Sequence, residues 1–130
     1  HEQSKKFFEV LPTISHPMGI LASFTASMSA FYPESLLTHR PFEEVELTII
    51  RLIAKFPTII SWIHKKRIGH PYVYPQNKLG YIENFMNMMF SMPSVDYEIN
   101  PAVADALDKL LILHADHEQN CSTSTVRIVG

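Results

Sequence analysis

Apolar and polar positions along the 130 residues fall into blocks at helical rather than strand spacing. Nine prolines, at 12, 17, 33, 41, 57, 71, 75, 93 and 101, divide those blocks. A proline lacks an N–H and crowds the preceding turn, so each marks a helix start, a stop or a kink. The first block, Gln3 to Val10, is a short amphipathic stretch stopped by Leu11-Pro12. The second opens at Ser15-His16-Pro17, with Ser15 or His16 as cap and the proline in the first turn, and runs to Tyr32. One of its faces carries Gly19, Ala22, Ser23, Ala26, Ser29 and Ala30, and the other Leu21, Phe24, Met28 and Phe31. Small residues three and four apart share a face and let another backbone come close.

The third block begins at Pro41, with Glu43, Glu44 and Glu46 where the helix dipole favours negative charge. Val45, Ile49, Leu52, Ile53, Phe56 and Ile60 predict a buried stripe, and Pro57 inside it predicts a kink rather than two helices. Lys65-Lys66-Arg67 followed by Gly69 reads as a basic last turn and a terminating glycine. His70 to Gly80 is irregular, with Pro71 to Pro75 extended. A short helix rich in Met and Phe follows from Tyr81 to Ser91. Asn100-Pro101 opens a fifth helix that reaches His117, and a cap among Ser122, Thr123 and Ser124 starts a last helix cut off at Gly130. No strand alternation of useful length appears. The expectation is an all-α chain, a single helical domain over residues 1–130.

Charge and composition narrow the function classes. With 11 basic and 13 acidic side chains, net −2, the chain lacks the clustered cations that a phosphate backbone requires, so nucleic acid is not an expected partner. One cysteine, Cys121, excludes an intrachain disulfide and a cysteine-based zinc knuckle. The four glycines form neither phosphate-loop fingerprint. The longest mainly apolar stretch is expected to be Met18 to Phe31, too short for a membrane span, which needs about 20 residues. The chain begins at His1 with no apolar leader, so a cytoplasmic setting is expected. Charged residues make up 18%, below the roughly 25% of an average soluble protein. Part of the surface is therefore expected to face protein.

The chemistry concentrates at His114-Ala115-Asp116-His117-Glu118-Gln119-Asn120. Val103, Leu107, Leu110 and Leu111 predict a buried stripe on the fifth helix, and its continuation carries His114 and His117. Two imidazoles would then project from a helix C-terminus, where a protonated ring is favoured and can grip a carboxylate. The plainer alternative is a pair of core histidines bonded to carbonyls. A metal site using His114, Asp116 and His117 lacks both the metalloprotease spacing and thiolates, so no metal is expected. Cys121 or Ser122 as nucleophile beside His117 lacks an orienting third group. The Lys65-Lys66-Arg67 cluster reads as a solvated helix end, with phosphate binding as the rival. The Met and Phe run from Phe85 to Phe90 reads as core or interface rather than as a cofactor wall.

The run from Leu110 to Gly130, with His114-Ala-Asp-His117-Glu-Gln-Asn120 and Ser122-Thr-Ser-Thr-Val-Arg127, resembles the central signature of bacterial citrate synthases of the hexameric, Gram-negative type. Ser15-His16-Pro17-Met18, Tyr74-Pro75 with Asn77, and Asn84 to Ser91 extend the resemblance over essentially the whole chain. It implies the multi-helical citrate synthase fold, here in part, and the condensation of acetyl-CoA with oxaloacetate to citrate and CoA, with no cofactor besides the acetyl-CoA substrate. It implies that His117 hydrogen-bonds oxaloacetate and polarises its carbonyl, that His114 lies just behind, and that Asn120 helps shape the site. The family's remaining catalytic groups, including the aspartate base, would lie beyond Gly130, so the chain alone is expected to be inactive. A homodimer is implied, with a hexamer possible, built in part on the second, fifth and last helices. The family's NADH site has matches at Tyr32, Arg51, Lys55 and Asn77, but His70, Met92 and Ser94 replace its glutamine, threonine and cysteine. The residues themselves also allow Arg51 and Lys55 to be a solvated cationic edge.

Overall fold

The structure, a computed structural model, describes residues 2–32, 39–115 and 121–129. Among these residues there are six helices: α1 (Glu2–Val10), α2 (Pro17–Phe31), α3 (Phe42–Arg67), α4 (Tyr81–Phe90), α5 (Pro101–Ala115) and α6 (Cys121–Val129). Among the described residues there is no strand, only an isolated bridge between Met92 and Val95. The all-α expectation holds. The chain forms two compact units, His1–Tyr97 with α1 to α4 and Glu98–Gly130 with α5 and α6.

Local chemistry sets the helix ends. The His16 Nδ1 accepts the Met18 N–H at 3.3 Å ahead of Pro17, and the Asn100 side chain accepts from Ala102 at 3.0 Å ahead of Pro101. Helix α3 closes as its sequence indicates. Gly69 takes φ 71°, His70 N–H bonds the Lys65 carbonyl at 2.9 Å, and Gly69 N–H bonds that of Lys66 at 3.3 Å. That pair of bonds is the Schellman arrangement, which a residue bearing a Cβ adopts only with strain. The one misplaced cap is the last: α6 starts at Cys121, so Ser122 to Ser124 lie inside its first turn.

The N-terminal core joins Phe8 of α1, Ile20, Phe24 and Met28 of α2, and Ile59 and Ile63 of α3. Phe8 is its hub, meeting Phe24, Trp62 and Tyr72 edge-on at centroid distances of 5.6, 6.1 and 5.9 Å. Burying one such ring contributes about 1.5–3 kcal/mol. Helix α4 packs along α3 and buries Ile82, so that of the Met and Phe run Met86 and Met88 are core, Phe85 and Met89 half-buried and Phe90 exposed. The loop between them is fixed from both sides. Trp62 Nε1–H donates to the Val73 carbonyl at 3.0 Å, and Asn84 brackets Gln76, accepting its N–H at 2.7 Å and donating to its carbonyl at 2.8 Å.

Two predicted stripes are corrected. In α3 the buried positions are Pro57, Ile59, Ser61, Ile63 and Lys65, whereas Ile49 and Ile53 are exposed and Val45, Leu52, Phe56 and Ile60 half-buried. Residues two apart point to nearly opposite sides of a helix, so this pattern means enclosure from several directions. The helix runs through Pro57 unbroken. By length and apolarity α3 also meets the requirement for a membrane span, but its C-terminal half is the core helix just described. On α5, Val103, Leu110 and Leu111 are exposed and Leu107 half-buried, and Ala104 is the buried position. Periodicity says which residues share a face. Burial needs, in addition, a surface packed against that face.

Of the basic cluster only Arg67 is a solvated end, for Lys65 and Lys66 are engaged by backbone carbonyls. The Lys65 side chain is 1% exposed and donates to the Ser91 carbonyl at the C-cap of α4. Lys66 donates to the carbonyls of Phe8, Glu9 and Leu11, at 2.8, 2.8 and 2.6 Å, at the C-terminus of α1. Burial lowers the pKa of both lysines, with Glu9 opposing the shift at Lys66. Hydrogen bonds to a charged donor are worth about 1.5–3 kcal/mol each and do not add simply. Lys66→Met is therefore expected to destabilise the protein by about 2–3 kcal/mol in chemical denaturation. Lys109, whose pair with Asp105 is solvent-exposed, should change stability by less than about 0.5 kcal/mol on the same replacement.

Candidate functional site

The histidine-bearing end of α5 is described as far as Ala115. His114 is exposed there, with its Nδ1 2.7 Å from the Leu110 carbonyl one turn back. His117 and Asn120, the other two residues assigned to oxaloacetate, lie outside the described residues, as does Asp116. Cys121 and Ser122 are exposed in the first turn of α6. Among the described residues no group of three His, Cys, Asp or Glu side chains is placed to hold a metal.

A second candidate site lies among the described residues. Tyr32 at the C-cap of α2 and Arg51 and Lys55 on α3 line a cavity of about 310 Å³. The Lys55 ammonium lies 4.9 Å and the Arg51 guanidinium 5.7 Å from the Tyr32 ring centroid. Both are within the range where a ring face attracts a cation. Arg51, exposed, and Lys55, half-buried, thus stand beside one aromatic ring at a solvated cationic edge. Arg40 stands behind, donating to the Thr48 hydroxyl at 3.0 Å, and Thr48 also lines the cavity. Asn77, the fourth residue of the sequence match, is exposed on the loop before α4 and does not line it. Of the three departures from the family pattern, His70 has a buried Nδ1 with no partner among the described residues, while Met92 and Ser94 are exposed in the turn after α4.

The structure adds wall residues that sequence reading missed, above all Thr25, Ser29 and Thr48. The signal was present. Thr25, Ser29 and Tyr32 stand at i, i+4 and i+7 on α2, and Thr48, Arg51 and Lys55 at i, i+3 and i+7 on α3, so each set shares a face. The Thr25 hydroxyl is buried without a hydrogen-bond partner among the described residues. Such a group costs about 1–3 kcal/mol unless something satisfies it.

With these two sites in view, comparison with known proteins decides the family. The model of the citrate synthase C-terminal domain matches residues 1–130. The chain belongs to the citrate synthase family. Curated citrate synthase family relatives include citrate synthase 1 from two strains of Mycobacterium tuberculosis, CDC 1551 / Oshkosh and ATCC 25618 / H37Rv. Each is 49% identical over 132 residues, covering 100% of this chain. The chain spans 30% of the length of these relatives.

The orphaned hydroxyl yields a test that needs no ligand. Thr25→Val keeps the shape and removes the unpaired group, so stability should be unchanged or higher by about 1 kcal/mol in thermal denaturation. A loss of that size would mean the hydroxyl is already satisfied.

Proposed function

We propose that this chain is the central part of a citrate synthase of the hexameric type, a cytoplasmic acyltransferase of the tricarboxylic acid cycle that joins acetyl-CoA to oxaloacetate and releases citrate and CoA. Family membership over the entire chain, together with the His114 to Asn120 run, carries this reading. In it, His117 donates a hydrogen bond to the ketone oxygen of oxaloacetate. Negative charge builds on that oxygen as the acetyl carbanion attacks, so a donor already aimed there lowers the barrier without reorganisation. His114 lies just behind His117 and Asn120 helps shape the site. A proton must also leave the acetyl methyl group, which needs a base within hydrogen-bond reach. That base belongs to another part of the enzyme, so the 130 residues alone are inactive. The enzyme works at least as a homodimer. The exposed small-residue face of α2, with Gly19, Ala22, Ser23, Ala26 and Ala30, supports a close helix contact across that interface.

A second role rests on the cavity between α2 and α3, which we read as a regulatory nucleotide site of the NADH type. Tyr32, Arg51 and Lys55 meet around one cavity that offers cations, hydroxyls and an aromatic face, the groups that bind phosphates and a planar ring. Asn77 would join from the loop before α4.

In the full-length enzyme, His117→Ala should lower kcat by about a hundredfold or more, the usual effect of removing one such donor, and weaken oxaloacetate binding with little change in melting temperature. A structural histidine would show the reverse, lost stability with retained affinity. Arg51→Met should weaken NADH binding by about tenfold in calorimetric titration while leaving the uninhibited rate intact, as loss of one charge-assisted contact does. Equal NADH affinity in variant and wild type would count against the regulatory reading.

A further inference from the structure

Helix α3 changes character at Pro57. Its buried residues, Pro57, Ile59, Ser61, Ile63 and Lys65, all stand at or beyond the proline, and none from Phe42 to Phe56 is buried. The proline also leaves a gap in the helix ladder. Position 57 of a regular helix donates its N–H to the Ile53 carbonyl, but proline has no N–H and its ring crowds that oxygen. The helix nevertheless runs on through Pro57. Its freed carbonyl is taken from outside: the hydroxyl of Tyr81, the first residue of α4, donates to the Ile53 oxygen at 3.0 Å. That donor stands on a fixed base. The Gly80 N–H bonds the Glu83 carboxylate at 2.9 Å, and the Asn84 amide that brackets Gln76 also donates to the Leu79 carbonyl at 3.0 Å. Partial burial raises the pKa of the Tyr81 phenol, so it keeps the proton it donates.

We propose that Pro57 is a hinge in α3 and that the Tyr81 hydroxyl is its latch, tying the N-terminal half of the helix to α4 through the carbonyl that the proline frees. Sharp bends in helices concentrate where a proline removes a rung of the ladder. The half beyond Pro57 is wedged in the core, so the half that swings is Phe42 to Phe56. It carries Arg51 and Lys55, the two cations beside the Tyr32 ring of α2. The latch therefore sets where those cations stand, whatever the cavity beside them binds.

The test is amide hydrogen exchange on the full-length enzyme, comparing wild type with Tyr81→Phe, which keeps the ring and removes only the hydroxyl. Loss of one neutral hydrogen bond raises a local opening equilibrium by about two- to tenfold. The amides from Glu46 to Phe56 should exchange faster by that factor in the variant, while those from Ile59 to Arg67 keep their wild-type rates. Pro57→Ala supplies a second background, since alanine restores the N–H that the Ile53 carbonyl lacks. In that background Tyr81→Phe should leave exchange unchanged, because the two positions are coupled through one acceptor. Equal acceleration in both backgrounds means that the hydroxyl serves something other than the proline gap, and overturns the latch. Acceleration absent from the N-terminal half, or spread over both halves, overturns the hinge. Thermal melting is the folding control for Pro57→Ala; should that variant not fold, the contrast between the two halves of α3 in Tyr81→Phe alone decides.

Discussion

Every helix ends with carbonyls that its own backbone cannot satisfy, and in the N-terminal unit two adjacent ammonium groups answer that need for two other helices. Lys65 and Lys66 stand next to each other on α3, so their side chains leave the helix about 100° apart. One reaches the end of α4 at Ser91 and the other the end of α1 at Phe8, Glu9 and Leu11. A cation at a helix C-terminus also meets the negative end of that helix's dipole. Because the acceptors are fixed backbone atoms, these four bonds set where α1 and α4 terminate against α3. The Phe8 hub and the loop held by Trp62 and Asn84 form in the space this defines.

Much of this was legible in the residues. Proline and asparagine placed the starts of α2 and α5, and Gly69 placed the end of α3, because caps are local chemistry that one or two side chains decide. Burial was less legible. Ile49 and Ile53 share a stripe with Phe56 yet lie exposed, while Ser61 and Lys65 are deep in the core. Those outcomes depend on what packs against each side of α3, which no periodicity within α3 reports. The lysine cluster was misread for the same reason. Its acceptors are backbone carbonyls more than 20 residues away, and backbone carbonyls carry no sequence signal.

The candidate sites divide along the same line. The cavity between α2 and α3 could have been drawn in more detail, since two ordinary helical faces supply its walls and only their juxtaposition was missing. At the other site the residues that matter to the proposed chemistry, His117 and Asn120, are known by their place in a family signature. A helix stripe and a pair of imidazoles permit a structural role as readily as a substrate-binding one. Membership of the citrate synthase family changes that balance, because a hydrogen-bond donor facing a keto-diacid is what the proposed condensation demands of such a ring.

The proposed chemistry requires the His117 imidazole to polarise the ketone of oxaloacetate. Carbon-13 NMR of oxaloacetate labelled at its ketone carbon, bound to the full-length enzyme, reads that polarisation directly. A downfield displacement of the bound resonance is expected, and it should disappear in His117→Ala under conditions where the variant is saturated with substrate. The same displacement in the variant would contradict that requirement.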